Sequence, residues 1–279
     1  MRDPRPPLLL AVALLVLALA TLQPLIVAGV LIAAVLLYMA APGPCRLMLR
    51  VAAVSGLFVL VVNPFVAVEG GHVLVAGPHF LLFDFEVTSE ELLYGAVAGM
   101  RLATAILATS AFLALSDPDR VQALASRVAP RSALTVALSA RLVPTLRRDA
   151  MAMHEALRLR GTGPAKGRTA MIRQSAVLVE PLIASSLERG IEISEAMAAR
   201  GYGSFPLTAL PEPPLARGER AALCLGAILF GLGIAVIAGG LPYAIYPVAD
   251  TIITLPALIS SLLIVVLSAL AAQVLRRPA

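Results

Sequence analysis

Residues 8–41 contain no charged side chain. As one helix this stretch would be roughly 50 Å long, well beyond the ~30 Å hydrocarbon core of a bilayer. Gln23-Pro24 interrupts it near the middle, and proline cannot supply the amide that the next helical turn needs. The pattern therefore predicts two short membrane spans, 8–22 and 25–41. No cleavage signature separates them, so the first is read as a retained span. Four more apolar segments follow at about 51–68, 92–115, 221–240 and 251–273, each close to the ~20 residues that a spanning helix requires. Charged residues make up 14% of the chain, against about 25% in soluble domains. The expected fold is an all-α integral membrane protein with about six transmembrane helices.

An even number of spans puts both termini on one side, and the basic residues choose the side. The predicted loops 69–91 and 241–250 contain no Lys or Arg, and the first carries Glu69, Asp84, Glu86, Glu90 and Glu91. Arg2, Arg5, Arg46, Arg50, Arg276 and Arg277 lie on the opposite side, together with fifteen basic residues between 117 and 220. Lys and Arg accumulate in cytoplasmic loops. The expected placement is the cell (inner or plasma) membrane, multi-pass, with both termini and the 116–220 region in the cytoplasm. The net charge of +5 then reflects loop asymmetry and calls for no nucleic acid. Membrane lipid is the expected surrounding. The division is 1–115, a four-span part with outer loop 69–91; 116–220, a cytoplasmic helical domain; and 221–279, a two-span part. In the outer loop, Val73-Leu74-Val75 and Phe80-Leu81-Leu82-Phe83, separated by Gly77-Pro78, suggest a small hairpin.

Within 116–220, Asp117-Pro118-Asp119 can open a short helix that Pro130 ends. A longer helix follows over about 132–160. Leu134, Leu138, Leu142, Leu146, Ala150, Met153 and Leu157 form one helical stripe on it, and Pro144 predicts a kink or break. A second long helix is expected over about 172–200, with Ile183, Leu187 and Ile191 marking its apolar side and Pro181 bending it. Residues 204–218 read as a Pro-rich connector.

The two long helices end alike. Residues 154–163, His-Glu-Ala-Leu-Arg-Leu-Arg-Gly-Thr-Gly, align with 194–203, Ser-Glu-Ala-Met-Ala-Ala-Arg-Gly-Tyr-Gly, at an offset of forty residues. A glycine just past a helix can take the left-handed conformation that caps it. An arginine before it sits at the tip of a rigid rod, with five donors to offer carboxylates or carbonyls of a partner. The local alternative is a cation interacting with the helix dipole, worth about 0.3–1 kcal/mol. The residues alone leave both readings open.

These residues resemble the transmembrane T component of energy-coupling factor transporters, the family that includes the CbiQ-type cobalt-transport permease. The likeness rests on Leu159-Arg160-Gly161 and Ala199-Arg200-Gly201, each preceded by Glu-Ala at 155–156 and 195–196. Asp117-Pro118, Arg141-Leu142-Val143-Pro144, Glu180-Pro181-Leu182, Asp3-Pro4-Arg5 and Arg101 fit as well. It covers most of the chain and is most specific over 116–203. Leu159 departs from the alanine usual in the first triplet. The resemblance implies a non-catalytic scaffold that needs no cofactor. Its coupling helices would dock two ATP-binding cassette ATPase subunits through Leu159, Arg160, Gly161, Ala199, Arg200 and Gly201. Glu155, Glu195, Pro144 and Pro181 would support those helices. The scaffold would also hold a membrane-embedded substrate-binding S component and so drive uptake of a vitamin or a transition-metal ion.

Other motifs carry less. Gly161–Gly167 lacks the Gly before Lys166 and the Ser or Thr after it that a phosphate loop needs. His72, His79, Asp84 and Glu86 lack paired metal-ligand spacing and read as a solvated acidic loop. His154 reads as a helix-face residue with no catalytic role. Arg101, the one basic residue inside a span, is either a structural anchor or a contact to the S component. A self-contained secondary transporter or channel is the rival reading; it would need a polar midplane site, and the spans offer little beyond Arg101 and Asn63. A membrane enzyme would need a clustered His, Asp or Ser constellation, and none is visible.

Overall fold

A computed structural model describes residues 3–63, 73–76, 86–160, 167, 176–203, 215–238 and 254–276. The chain divides into one unit of Met1–Val121 with Pro214–Ala279, and a second of Gln122–Pro213.

The first unit contains α1 (Arg5–Ala20), α2 (Pro24–Met39), α3 (Arg46–Val62), strands β1 (Val73–Ala76) and β2 (Glu86–Thr88), and α4 (Ser89–Leu115). Its two returning helices, separated from these by the second unit, are described below as α8 and α9. The break predicted at Gln23-Pro24 is present. Thr21 and Gln23 are extended, and Pro24 opens α2, where its missing amide costs nothing. The buried elbow is held from both sides. Thr21 Oγ1 donates to the Leu17 carbonyl at 2.7 Å, and Gln23 Nε2 donates to Thr254 Oγ1 at 3.0 Å.

β1 and β2 pair antiparallel, Val75 opposite Val87 and Ala76 opposite Glu86. The first hairpin run is thus a strand, with Glu86–Thr88 as its partner; the run at 80–83 lies outside the described residues, as do His72, His79 and Asp84.

α4 begins earlier than predicted. Thr88 caps it with a full capping box: its Oγ1 accepts from the Glu91 amide at 3.4 Å, and Glu91 Oε2 accepts from the Thr88 amide at 3.1 Å. Glu90 and Glu91 are therefore not part of a solvated loop. They form the buried first turn of α4, where carboxylates interact favourably with the unpaired amides of a helix start.

α5 (Pro118–Val128) begins in the first unit and ends in the second, as predicted from Asp117-Pro118. The second unit holds α6 (Pro130–Leu159) and α7 (Val179–Ala199), and the chain returns to the first as α8 (Arg217–Ala238) and α9 (Leu255–Arg276). α4, α8 and α9 are long and apolar enough to cross a membrane, and α1 and α2 are shorter apolar helices.

The core of the first unit lies among α1, α2, α4, α8 and α9, around Leu10, Leu14, Leu17, Ile26, Val30, Leu37, Leu107, Leu229 and Ile264. Lipid tails are as apolar as leucine, so association within a bilayer depends on close packing of small residues. Gly226 lies against Leu9 and Leu10, and Gly233 against Leu17. The backbones of α3 and α4 also approach closely. A Cβ at Gly99 would lie 2.5 Å from the Gly56 carbonyl oxygen, and one at Gly95 would lie 3.1 Å from the Cβ of Asn63. Asn63 Nδ2 adds a hydrogen bond to the Glu91 carbonyl at 3.1 Å. Ala52 is the only buried residue of α3, while Val54, Leu57 and Phe58 are exposed, as suits a helix at the rim of a membrane bundle.

Two polar ties close the other end of this unit. Tyr38, itself buried, donates its phenol to the Cys45 carbonyl at 2.9 Å and accepts the Cys45 amide at 2.8 Å, which fixes the α2–α3 turn. Glu219 accepts the Asp3 amide at 2.8 Å on one oxygen and the Ala216 amide at 3.1 Å on the other.

Candidate docking site on two matched helix ends

α6 runs unbroken for 30 residues through Pro144. The expected break is absent: Thr145 Oγ1 returns a hydrogen bond to the Arg141 carbonyl at 3.1 Å, within the turn that the proline disturbs. α7 starts at Val179 with Pro181 in its first turn, where no intrahelical bond is lost; Ala176 is helical and 177–178 form a turn ahead of it, while the expected helix over 172–175 lies outside the described residues.

The apolar stripe read on α6 is present, since Leu134, Leu138, Leu142, Leu146, Ala150, Met153 and Leu157 are all half-buried. The apolar side read on α7, Ile183, Leu187 and Ile191, is exposed, and the half-buried set is Leu182, Ser185, Ser186, Arg189, Ile193 and Met197. Polar Ser185, Ser186 and Arg189 hid this face from a search for hydrophobic period. The forty-residue offset could have found it: the half-buried positions 142, 145, 146, 149, 153 and 157 of α6 recur at 182, 185, 186, 189, 193 and 197 of α7.

The two tips share their backbone geometry. Arg160 closes α6 at φ −80°, ψ 8°, and its amide donates to the Ala156 carbonyl at 3.1 Å. Arg200 closes α7 at φ −87°, ψ 6°, and its amide donates to the Ala196 carbonyl at 3.2 Å. Beyond it Gly201 takes φ +75°. The Gly201 amide donates to the Ala198 carbonyl at 3.0 Å, and the Tyr202 amide to the Met197 carbonyl at 2.9 Å. This crossed pair is the Schellman cap, and its left-handed position favours glycine. Gly161 lies outside the described residues, so the corresponding detail is described for one tip.

Leu159, Arg160, Ala199, Arg200 and Gly201 are exposed, Leu159 by 89%. Glu155 and Glu195 are exposed on the last turn but one of each helix. A guanidinium held at the end of a capped helix is free to enter a complementary groove, with the adjacent side chain as apolar contact.

Arg101 sits elsewhere. From α4 its Nη2 donates to the Thr21 carbonyl at the C-terminal end of α1, one of the carbonyls that a helix end leaves without an intrahelical donor. Among the described residues no group of His, Cys, Asp and Glu is placed to hold a metal ion, and His154 is exposed on α6.

Apolar helices of spanning length, with a separate pair of polar helices ending in matched cationic tips, define an all-α membrane protein. The family model described as cobalt transport protein, CbiQ, matches residues 3–208. The chain belongs to this transport family, in agreement with the resemblance carried by its Arg-Gly triplets. A comparison with curated proteins gave no match.

Proposed function

We propose that this chain is the transmembrane scaffold and energy-coupling subunit of an ATP-driven importer of the energy-coupling factor type. The observation that carries the reading is the pair of equivalent helix ends at Arg160 and Arg200, both exposed and closed at matching backbone angles. Two matched cationic tips suit two partners of matched groove chemistry. Each tip enters an acidic or carbonyl-lined groove of one ATP-binding cassette subunit through charge-assisted hydrogen bonds.

Closure of the ATPase pair on ATP displaces both tips. The helices carry that displacement to a separate substrate-binding S component in the membrane. The family description points to cobalt, within the wider set of transition-metal ions and vitamins. Hydrolysis and solute choice belong to the partner chains. Helices α1–α4, α8 and α9 span the cell membrane, with both termini and the coupling helices in the cytoplasm, a placement supported by the absence of Lys and Arg from 69–91 and 241–250.

The polar groups buried in the first unit also weigh for a scaffold over a self-contained carrier. Glu91 caps α4, Gln23 ties the α1–α2 elbow, and Arg101 tethers α4 to the end of α1.

The test is retention of co-expressed ATPase subunits by affinity-tagged chain. Arg160→Glu with Arg200→Glu is expected to lose both subunits while the chain still elutes as a monodisperse membrane protein. Each single substitution should weaken retention by roughly tenfold or more, since truncating one side of a charged hydrogen-bonded contact costs about 2–5 kcal/mol. Full retention by the double variant, with hydrolysis still coupled to uptake, refutes the docking reading.

A further inference from the structure

α6 and α7 are joined by one ion pair, Asp149 Oδ2 to Arg189 Nη1 at 3.3 Å. The side chains are 27% and 32% exposed respectively; the two atoms that face each other are shielded from solvent and lack hydrogen-bond geometry, so the tie is an electrostatic one. Their sequence positions are unusual in one respect. Asp149 and Arg189 are equivalent under the forty-residue offset that relates the two helix ends. Arg160 lies eleven residues beyond Asp149, and Arg200 lies eleven beyond Arg189. At about 1.5 Å per residue both tips stand about 16 Å from the bridge.

We propose that Asp149 and Arg189 form a cross-brace at the equivalence point of the two coupling helices, holding the Arg160 and Arg200 tips on arms of equal length so that they move as one body. This rests on the docking reading above and adds positioning residues to it. The opposite signs matter. Equivalent positions in a repeat would ordinarily carry the same residue, and two aspartates or two arginines would push the helices apart. One of each makes the bridge attractive and specific for α6 against α7.

The rest of the interface holds the angle weakly. Ser185 and Ser186 share the half-buried face of α7 with Arg189, and Ser186 Oγ turns back to its own helix, donating to the Ile183 carbonyl at 2.8 Å. α7 has no fully buried residue, and Ala133 is the only one in α6. The apolar side chains on these faces, Leu142, Leu146 and Met153 of α6 with Leu182, Ile193 and Met197 of α7, are only half-buried, so the charge pair adds a directional contact to a loosely packed apolar one. Helix pairs of a given packing class scatter by about 15–20°. Freed over that range, a point about 13 Å along the arm swings by about 4–5 Å.

The experiment places spin labels at Arg158→Cys and Ala198→Cys, equivalent exposed sites on the last turn of each helix. The host is the full chain in nanodiscs with Cys45→Ser and Cys224→Ser. The parent is expected to give one narrow distance distribution. Asp149→Asn or Arg189→Gln alone should broaden it by about 4–5 Å, and Asp149→Arg with Arg189→Asp should narrow it again. In the complex with ATPases and S component, the neutral variants should keep the ATPases but lose roughly threefold or more of uptake per ATP hydrolysed, with recovery in the exchanged pair.

A distribution as narrow in Asp149→Asn as in the parent overturns the brace. So does an exchanged pair as broad as the single variants. The two readings fail separately: loss of docking is read from ATPase retention by the Arg160 and Arg200 variants, and loss of the brace from the label distances, which need no partner. Thermal stability of each variant reports whether it has folded, and the exchanged pair guards against a merely destabilising effect.

Discussion

Gly99→Ala tests the α3–α4 seam with a single methyl group. The added Cβ would stand 2.5 Å from the Gly56 carbonyl oxygen and 3.2 Å from its carbonyl carbon. Both are backbone atoms and cannot rotate away. Restoring ordinary contact needs the helices to part by roughly 1 Å, which forfeits a quarter to a half of the dispersion attraction along the seam. It also stretches the hydrogen bond from Asn63 to the Glu91 carbonyl. Overpacking of this kind costs about 1–3 kcal/mol. At about 2–4 °C per kcal/mol for a chain of this size, Tm should fall by about 2–12 °C. The assay is a thermal series in detergent followed by size-exclusion chromatography of a fluorescent fusion, since the chain has no tryptophan. Gly231→Ala is the matched control. It too is an interior helical glycine, but nothing lies within 4 Å of its added Cβ. It should gain about 0.5–1 kcal/mol from helix propensity alone. Opposite signs at the two sites are expected. A Gly99→Ala protein as stable as Gly231→Ala would refute the close approach of the two backbones.

Two further outcomes concern one tip and the topology. Gly201→Ala forces a side chain into the left-handed region at φ +75°, at a cost of about 1–2 kcal/mol; hydrogen exchange at the Tyr202 amide, the far end of the cap, should speed up by roughly tenfold, and unchanged exchange would count against the cap. In a cysteine-free chain, Val75→Cys should react with an impermeant thiol reagent from outside the cell and Ala165→Cys only from inside; reversed labelling would overturn the charge-based orientation.

Much of the fold could be read from the chain because its strongest signals are local. Pro24 ended one helix and opened the next, and the leucine stripe of α6 lay along a single regular period. Where the reading failed, the deciding contact was distant in sequence or polar. Glu90 and Glu91 looked like loop acids because side-chain type outweighed the Thr88-x-x-Glu91 pattern, which is itself a capping-box signature. The Gly95-x-x-x-Gly99 spacing, with Ala103 four residues further on, is a small-residue packing face. No local rule names its partner Gly56. Of the candidate site, the helix ends and the arginines were legible because the repeat displays them twice. The bridge between Asp149 and Arg189 needed the structure, although the same repeat already put them in register.

The two oxygens of Glu219 give the membrane unit a mechanical ground. One holds the Asp3 amide just ahead of α1, and the other holds the Ala216 amide at the point where the chain returns from the second unit. A pull arriving along the backbone at Ala216 therefore meets a hydrogen-bonded stop before it reaches the first turn of α8. It is shared at once with the opening of α1, whose Leu9, Leu10 and Leu17 bear on Gly226 and Gly233. A load applied there would be divided between two helices, and the same carboxylate holds the start of α8 against unwinding.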